Sequence, residues 1–157
     1  MNQPYDERAL LREAVQLARE NAERGEQPFG ALVVRDGRVV GTGVSTILSD
    51  GDPTAHAEVA AVRNACVSLG VLDLGGATIV CSCEPCPMCH AAAVIAGISR
   101  IIYAATKETA ARHGFALTGV AAEMQATWRA KQLDTVEHVP TEDADEPFAR
   151  FDERTRA

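Results

Sequence analysis

Apolar residues recur at helical spacing near the start of the chain. The positions that share one helical face are Leu10, Leu11, Ala14, Leu17 and Ala18. This pattern predicts a first helix over residues 5–24. Two short apolar runs follow at residues 31–34 and 39–40, and they flank the pair Asp36-Gly37. An Asp-Gly pair between apolar runs is typical of a hairpin turn, so we predict two antiparallel strands there.

Helical and strand patterns alternate over the rest of the chain. In order, the predicted elements are a helix over 56–70, a strand over 77–81, a helix over 86–96, a strand over 101–104, a helix over 120–131 and a strand over 135–139. Asp52 or Thr54 is the expected N-cap of the first of these helices, and Gly70 ends it. A hairpin followed by such alternation predicts an α/β fold, a three-layer α/β/α domain around a five-stranded mixed sheet.

The length of 157 residues fits a single domain, residues 1–157. Its last stretch, residues 141–157, is acidic at first and amphipathic later, where it contains Phe148 and Phe151. We expect this stretch to be a C-terminal tail that docks as a short helix or covers a pocket as a lid.

Charge and hydropathy exclude several kinds of partner. The chain has 22 acidic and 15 basic residues and a net charge of −7, which disfavours contact with a phosphate backbone. No apolar run is long enough to span a bilayer, and the first residues lack the pattern of a secretory signal. We therefore expect a cytoplasmic protein that binds neither a membrane nor nucleic acid.

The cysteines indicate metal chemistry. There are five, and four of them lie within the nine residues 81–89. An odd number of clustered cysteines in a cytosolic chain is more typical of metal ligation or reactivity than of disulfides.

Two short segments carry the candidate chemistry, His56-Ala57-Glu58 and Pro85-Cys86-Pro87-Met88-Cys89. The order H-x-E followed by P-C-x-x-C is the signature of zinc-dependent base deaminases. One imidazole and two thiolates suit Zn²⁺ and leave the fourth tetrahedral position open, as in catalytic sites. Glu58 lies about 200° round the helix from His56, which suits a proton shuttle better than a ligand. Each segment alone is common in unrelated proteins, and a non-enzymatic zinc module would need a fourth protein ligand.

With these residues, the chain resembles the cytidine deaminase superfamily, in particular its guanine and nucleobase deaminase branch. The likeness runs over residues 27–115 and includes Pro28-Phe29-Gly30-Ala31 and Tyr103-Ala104-Ala105. The resemblance implies that His56, Cys86 and Cys89 bind Zn²⁺, that Glu58 is the catalytic proton shuttle, and that Phe29 is a wall of the base pocket. It also implies a homodimer, because guanine deaminases of this type are dimers and often exchange their C-terminal segments.

The chain departs from that branch at two positions. Ser45 occurs where many relatives carry an Asn that hydrogen-bonds the ring, and Leu117 lies in a segment where guanine deaminases tend to be acidic. We expect these two changes to alter which edge of the substrate ring the protein hydrogen-bonds. Ser45, Phe29, Phe115 and the peptide N–H of Ala57 are the predicted substrate contacts.

These observations predict a zinc-dependent hydrolytic deaminase that releases ammonia from a free nucleobase or a related amino-heterocycle. Guanine, a modified purine, cytosine and a triazine all remain candidate substrates. A tRNA adenosine deaminase is the alternative, because that branch shares the segment Asp52-Pro53-Thr54-Ala55-His56-Ala57-Glu58. A non-enzymatic zinc module is the remote alternative.

Overall fold

The fold is that of a computed structural model, in which residues 5–131 and 135–156 are described, apart from the side chains of Lys131 and Thr135. Residues 1–4 and 132–134 of the predicted domain, and residue 157 of the predicted tail, lie outside these ranges. The helices are α1 (Glu7–Glu23), α2 (Ile47–Asp50), α3 (Ala57–Leu69), α4 (Pro87–Ile95), α5 (Lys107–Arg112), α6 (Gly119–Lys131) and α7 (Glu146–Thr155). The strands are β1 (Gly30–Arg35), β2 (Arg38–Val44), β3 (Thr78–Cys83), β4 (Arg100–Ala105) and β5 (Thr135–His138).

The strands form one mixed sheet in the order β2-β1-β3-β4-β5. Strand β1 is antiparallel to β2 and to β3, whereas β3, β4 and β5 are parallel. Residues of α1, α5 and α7 pack on one face of the sheet, and residues of α3 and α4 pack on the other. The predicted three-layer α/β/α architecture with five strands is therefore confirmed. None of the helices within the described residues has the length and apolar character needed to cross a membrane.

Local structure follows the sequence closely at the hairpin and departs from it at short helices. Asp36 and Gly37 have φ angles of 52° and 73°, the left-handed conformations that a type I′ turn requires. The one-turn helix α2 and the six-residue α5 were not expected, because helical periodicity needs more than one or two turns to appear in a sequence.

The expected N-cap of α3 is wrong. His56 occupies that position, without a side-chain cap bond. The carboxylate of Asp52 instead accepts hydrogen bonds from the amide and the hydroxyl of Thr54, at 2.8 and 2.7 Å. Asp52 therefore closes a local turn before the helix, which is the alternative that Asp side chains offer to helix capping.

Strand register gathers several side chains at one edge of the sheet, which we call the site edge. Antiparallel pairing of Gly30 with Val44 places the residues before β1 beside those after β2. Parallel pairing of Cys83 with Ala105 places the ends of β3 and β4 side by side. The residues that flank these strand ends are Phe29, Ser45, Glu84 and Lys107.

Helix α3 lies directly on the backbone of β2. A Cβ atom on Gly41 would lie 2.5 Å from the amide nitrogen of Ala65 and 2.6 Å from the carbonyl oxygen of Ala61. A Cβ atom on Gly43 would overlap the carbonyl oxygen of Ala57 and the amide nitrogen of Ala61. Small residues in both elements thus allow a close approach of α3 to β2, which a side chain at Gly41 or Gly43 would prevent. This contact fixes the first turn of α3 against the sheet.

Helix α6 is tied to the site edge through a buried carboxylate. The side chain of Glu84 accepts hydrogen bonds from Gln125 Nε2 at 2.9 Å and from Arg129 Nε at 2.7 Å, and it forms an ion pair with Arg129 Nη2. It also accepts from the amide of Lys107 at 3.1 Å, which ties in the start of α5. Because Glu84 lies two residues before Cys86, this network holds the segment that carries the first cysteine of the signature.

Replacing Gly43 with alanine should destabilise the fold, because the new methyl group meets backbone atoms that cannot rotate away. We expect Gly43→Ala to lower the free energy of unfolding by about 1–3 kcal/mol, as overpacking does. Gly75→Ala is the matched control, since its φ is not left-handed and its Cβ would meet only the Asp73 carboxylate, at 3.2 Å. Urea denaturation measures both variants, and an unchanged midpoint for Gly43→Ala would contradict the close contact.

Removing Arg129 should cost more than removing an arginine of similar exposure. The side chains of Arg129 and Arg150 are similarly exposed, at 45% and 48%. Their acidic partners differ, because the Glu84 side chain beside Arg129 is 4% exposed and the Glu153 side chain beside Arg150 is 65% exposed. We expect Arg129→Met to cost about 1–3 kcal/mol, because the buried Glu84 carboxylate loses the two N–H donors and the positive charge of the guanidinium. Arg150→Met should change stability by less than about 0.5 kcal/mol. Equal losses in thermal denaturation would refute this distinction.

Candidate active site

Three side chains of the signature converge at the starts of two helices. His56 Nδ1 lies 3.7 Å from Cys86 Sγ and 3.3 Å from Cys89 Sγ, and the two sulfur atoms are 3.6 Å apart. Among the described residues, these three form the group that could hold a metal ion.

The separations fit a tetrahedral zinc ion. Zn–S bonds of about 2.3 Å and a Zn–N bond of about 2.0 Å place sulfur atoms about 3.8 Å apart and nitrogen about 3.5 Å from sulfur. The observed distances lie within a few tenths of an ångström of these values. The donor set also suits zinc, because imidazole and thiolate are its usual protein ligands.

Local sequence explains why these donors point together. His56 and Cys86 are the N-cap residues of α3 and α4, in extended conformations, and Pro87 occupies the first turn of α4. Cys89 lies three residues after Cys86, on the same side of that turn. As the first residue of α3, Ala57 has an amide with no acceptor within the helix.

The protonation of the two thiols is unequal. A hydrogen bond with Cys89, together with His56, lowers the pKa of Cys86 to about 3 despite its burial. The same hydrogen bond raises the pKa of Cys89. Hydrogen bonding to Cys86 also raises the pKa of His56, against the effect of burial. One negative charge is therefore already shared by the pair, and a divalent cation would displace the remaining thiol proton.

Glu58 lies beside this group without belonging to it. Its Oε2 is 3.3 Å from Cys89 Sγ, and the residue is 7% exposed. Burial raises the pKa of Glu58, although the positive charge of Lys107 acts in the opposite direction. A buried carboxyl with a raised pKa next to a metal-ligand group is suited to accept and return a proton.

The four phenylalanines of the chain form one cluster next to the site edge. Phe29 contacts Phe115 and Phe148 edge to face, with ring centroids 5.2 and 5.8 Å apart, and Phe151 contacts Phe115 at 5.2 Å. Phe148 and Phe151 belong to α7, the helix that residues Glu146–Thr155 of the tail form. The tail thus contacts the ring of Phe29 through Phe148.

Further contacts fasten α7 to the rest of the chain. His113 stacks on Phe148, and its Nδ1 lies 2.7 Å from Asp152. Helix α7 also contacts α1 through an ion pair between Arg19 and Glu146 at 3.3 Å.

Ser45 is held through its backbone. Its amide donates to the Phe29 carbonyl at 3.2 Å, and its carbonyl accepts from Asn21 Nδ2 at 2.8 Å. The hydroxyl is buried, and within the described residues it has no hydrogen-bond partner.

Sequence reasoning missed Lys107 and Glu84. Lys107 Nζ lies over the Phe29 ring, 5.8 Å from its centroid. Glu84 directly follows β3 and Lys107 lies two residues after β4, and the parallel register that brings them together is not visible in the sequence. Cys81 and Cys83 are buried and Cys66 is half-buried, outside the metal-ligand group.

Sequence and structure comparisons agree with this arrangement. Residues 4–105 match the cytidine and deoxycytidylate deaminase zinc-binding region. Guanine deaminase of Bacillus subtilis (strain 168) is 44% identical over 107 residues, which cover 68% of this chain and 69% of that protein. The tRNA-specific adenosine deaminase of Aquifex aeolicus (strain VF5) is 31% identical over 149 residues, 94% of each chain.

Among solved structures, the X-ray structure of guanine deaminase from Bacillus subtilis superposes with a TM-score of 0.67 at 33% identity, covering 92% of each chain. Deaminases with this zinc-binding region are hydrolases that act on C–N bonds. The predicted resemblance, enzyme class and zinc cofactor are therefore confirmed, and the chain belongs to the zinc-dependent cytidine and deoxycytidylate deaminase family.

Proposed function

We propose that the protein is a hydrolytic deaminase of a free nucleobase or a related amino-heterocycle. The observation that carries this proposal is the buried Glu58 carboxylate, 3.3 Å from a sulfur of a metal-ligand group that contains three protein residues among those described. A structural zinc site has four protein ligands, whereas a catalytic site keeps one position open.

The chemistry assigns a role to each residue. In this proposal His56, Cys86 and Cys89 hold zinc, which when bound is a Lewis acid that makes water nucleophilic near neutral pH. Glu58 accepts a proton from the attacking water and delivers it to a ring nitrogen. It then takes the second proton of that water, from the hydroxyl now on the ring carbon, and transfers it to the departing amine. The C–NH₂ bond breaks, a C=O bond forms, and water plus the amine yields the oxo product and ammonia.

The substrate contacts remain as predicted from the sequence. Phe29 supplies a flat apolar wall for the base, and Phe115 supports it from one side. The unpartnered hydroxyl of Ser45 supports its assignment as a hydrogen-bonding contact, because a buried hydroxyl normally has a partner. The free amide of Ala57 is the proposed donor to the tetrahedral intermediate.

A small base suits the charges better than tRNA does. The segment 142–146 carries four carboxylates and no basic residue. In α7, Arg154 donates to the Glu23 carbonyl at 2.5 Å, and Arg150 pairs with Glu153 at 3.2 Å. These arginines are thus engaged within the chain, whereas RNA binding needs several free cations. The similarity to the Aquifex aeolicus enzyme keeps tRNA adenosine as the alternative substrate.

We also propose a homodimer in the cytoplasm. Apolar side chains are exposed on α4, where Ile95 is 85% exposed, and on α6, where Val120 is 70% exposed. The five free cysteines suit a reducing compartment. Sedimentation analysis checks the assembly, and a particle with the 16.7 kDa mass of one chain would contradict it.

Replacing either cysteine ligand should remove the metal and much of the stability. We expect Cys86→Ser and Cys89→Ser to lose zinc and to lower the free energy of unfolding by several kcal/mol, because zinc ties two helix starts together. Cys66→Ser is the control, since this half-buried cysteine lies outside the group. Elemental analysis and thermal denaturation provide the readouts. Stoichiometric zinc in a Cys86 or Cys89 variant would exclude that residue as a ligand.

Ammonia release from a panel of amino-purines, amino-pyrimidines and amino-triazines tests the reaction. We expect turnover of at least one free base, and Glu58→Gln should reduce it by about 10²–10⁴-fold while zinc and the melting temperature stay unchanged. The isosteric change removes the proton-transfer group and leaves its volume.

A parallel incubation with tRNA that carries a wobble adenosine tests the alternative. Inosine formation that weakens steeply with salt, with no ammonia from any free base, would favour the tRNA enzyme. In the free-base assay, near-normal turnover by the Glu58→Gln variant would contradict the proton-transfer role assigned to Glu58.

A further inference from the structure

The backbone of Lys107 is fixed at the site edge. Lys107 is the first residue of α5, two residues after the end of β4, and its amide donates to the buried Glu84 carboxylate at 3.1 Å. Thr106 caps the same helix by accepting from the amide of Thr109 at 3.1 Å. The direction in which the Lys107 side chain leaves the backbone is therefore set by two anchored elements.

The ammonium lies against the ring assigned to the pocket wall. Lys107 is half-buried, and its Nζ lies 5.8 Å from the centroid of the Phe29 ring. In the described part of the chain, no carboxylate lies within ion-pair distance of this ammonium, and it donates no hydrogen bond. Among the described residues, this partly desolvated cation contacts an aromatic face and has no protein acceptor for its three N–H groups.

The same ammonium shares the electrostatic environment of Glu58. The ammonium of Lys107 lies within electrostatic range of Glu58, so their opposite charges attract each other. Zinc with two thiolates and a neutral imidazole carries no net charge. A base bound against Phe29 therefore meets the positive charge of Lys107.

We propose that Lys107 binds the substrate and selects amino-heterocycles that carry an oxo or oxyanion group on the ring. This inference rests on the proposed function. An ammonium has donors and no acceptor, so it pairs with a ring oxygen and not with an exocyclic amine in the same place. A base with an amine there would leave two donors facing each other and the ammonium unpaired. Ser45, with its single hydroxyl, cannot supply the donors of an amide side chain, and the Lys107 ammonium does.

Matched pairs of bases isolate the oxygen. Guanine and 2,6-diaminopurine, cytosine and 2,4-diaminopyrimidine, and ammeline and melamine each differ by one oxo group replaced with an amine. The test compares kcat/KM for all three pairs in the wild type, in Lys107→Met and in Lys107→Arg. The methionine variant keeps the apolar stem against Phe29 and removes the charge, so folding should be unaffected.

We expect the wild type to prefer the oxo member of the pair that it uses best. Lys107→Met should lower kcat/KM for that base by about 10- to 100-fold, because a hydrogen bond to a charged group is lost. Most of this change should come from a higher KM. The amino member should change less than threefold, and Lys107→Arg should retain most of the preference. Arg38→Met, which removes a cation from the exposed hairpin turn, should leave both bases unchanged.

Binding gives a second readout that needs no turnover. In a Glu58→Gln background, calorimetry should show Lys107→Met weakening the oxo base by a similar factor and leaving the amino base unchanged. Equal losses on both members, with an active wild type, would overturn the role of Lys107 and leave the deaminase proposal intact. A wild type that neither binds nor deaminates any free base would overturn both.

Discussion

The direct contact between α3 and the backbone of β2 is the constraint on which the site depends. Helix α3 begins at the metal-ligand group, so its height above the sheet determines where His56 and Glu58 lie relative to the cysteines of α4. Because β2 has glycines and α3 has alanines at this interface, the helix lies low enough for its backbone to contact the backbone of the strand. Since backbone atoms cannot adopt other rotamers, the helix start has little freedom. Preorganisation of this kind is what a metal site and a proton shuttle require.

A second constraint acts from the opposite side. The carboxylate of Glu84 is buried beside the first cysteine, and its partners come from α5 and α6. A buried charge is stable only when its hydrogen bonds are complete. The loop before Cys86 is therefore fixed by polar contacts, whereas the start of α3 is fixed by shape. The two halves of the ligand set are positioned by different kinds of force.

The parts of the molecule that the sequence predicted are those with local signals. The hairpin follows from the φ angles that Asp36-Gly37 accepts, and the ligand set follows from spacing at two helix starts. Glu84 and Lys107 could not be assigned in this way, because their roles depend on the parallel register of β3 with β4. The capping prediction for α3 was wrong because Asp52 bonds to Thr54 in its own turn. Pairings between distant residues require the fold, and short polar motifs offer several local bonding choices.

The phenylalanine cluster has a consequence for how substrate preference can change. The ring of Phe29 contacts both the Lys107 ammonium and the ring of Phe148 in α7. Substitutions in the tail can tilt or shift that ring without touching the metal ligands or Glu58. Under the proposed function, in which Phe29 is a wall of the base pocket, substitutions in α7 can change which base is bound while the metal ligands and Glu58 stay the same.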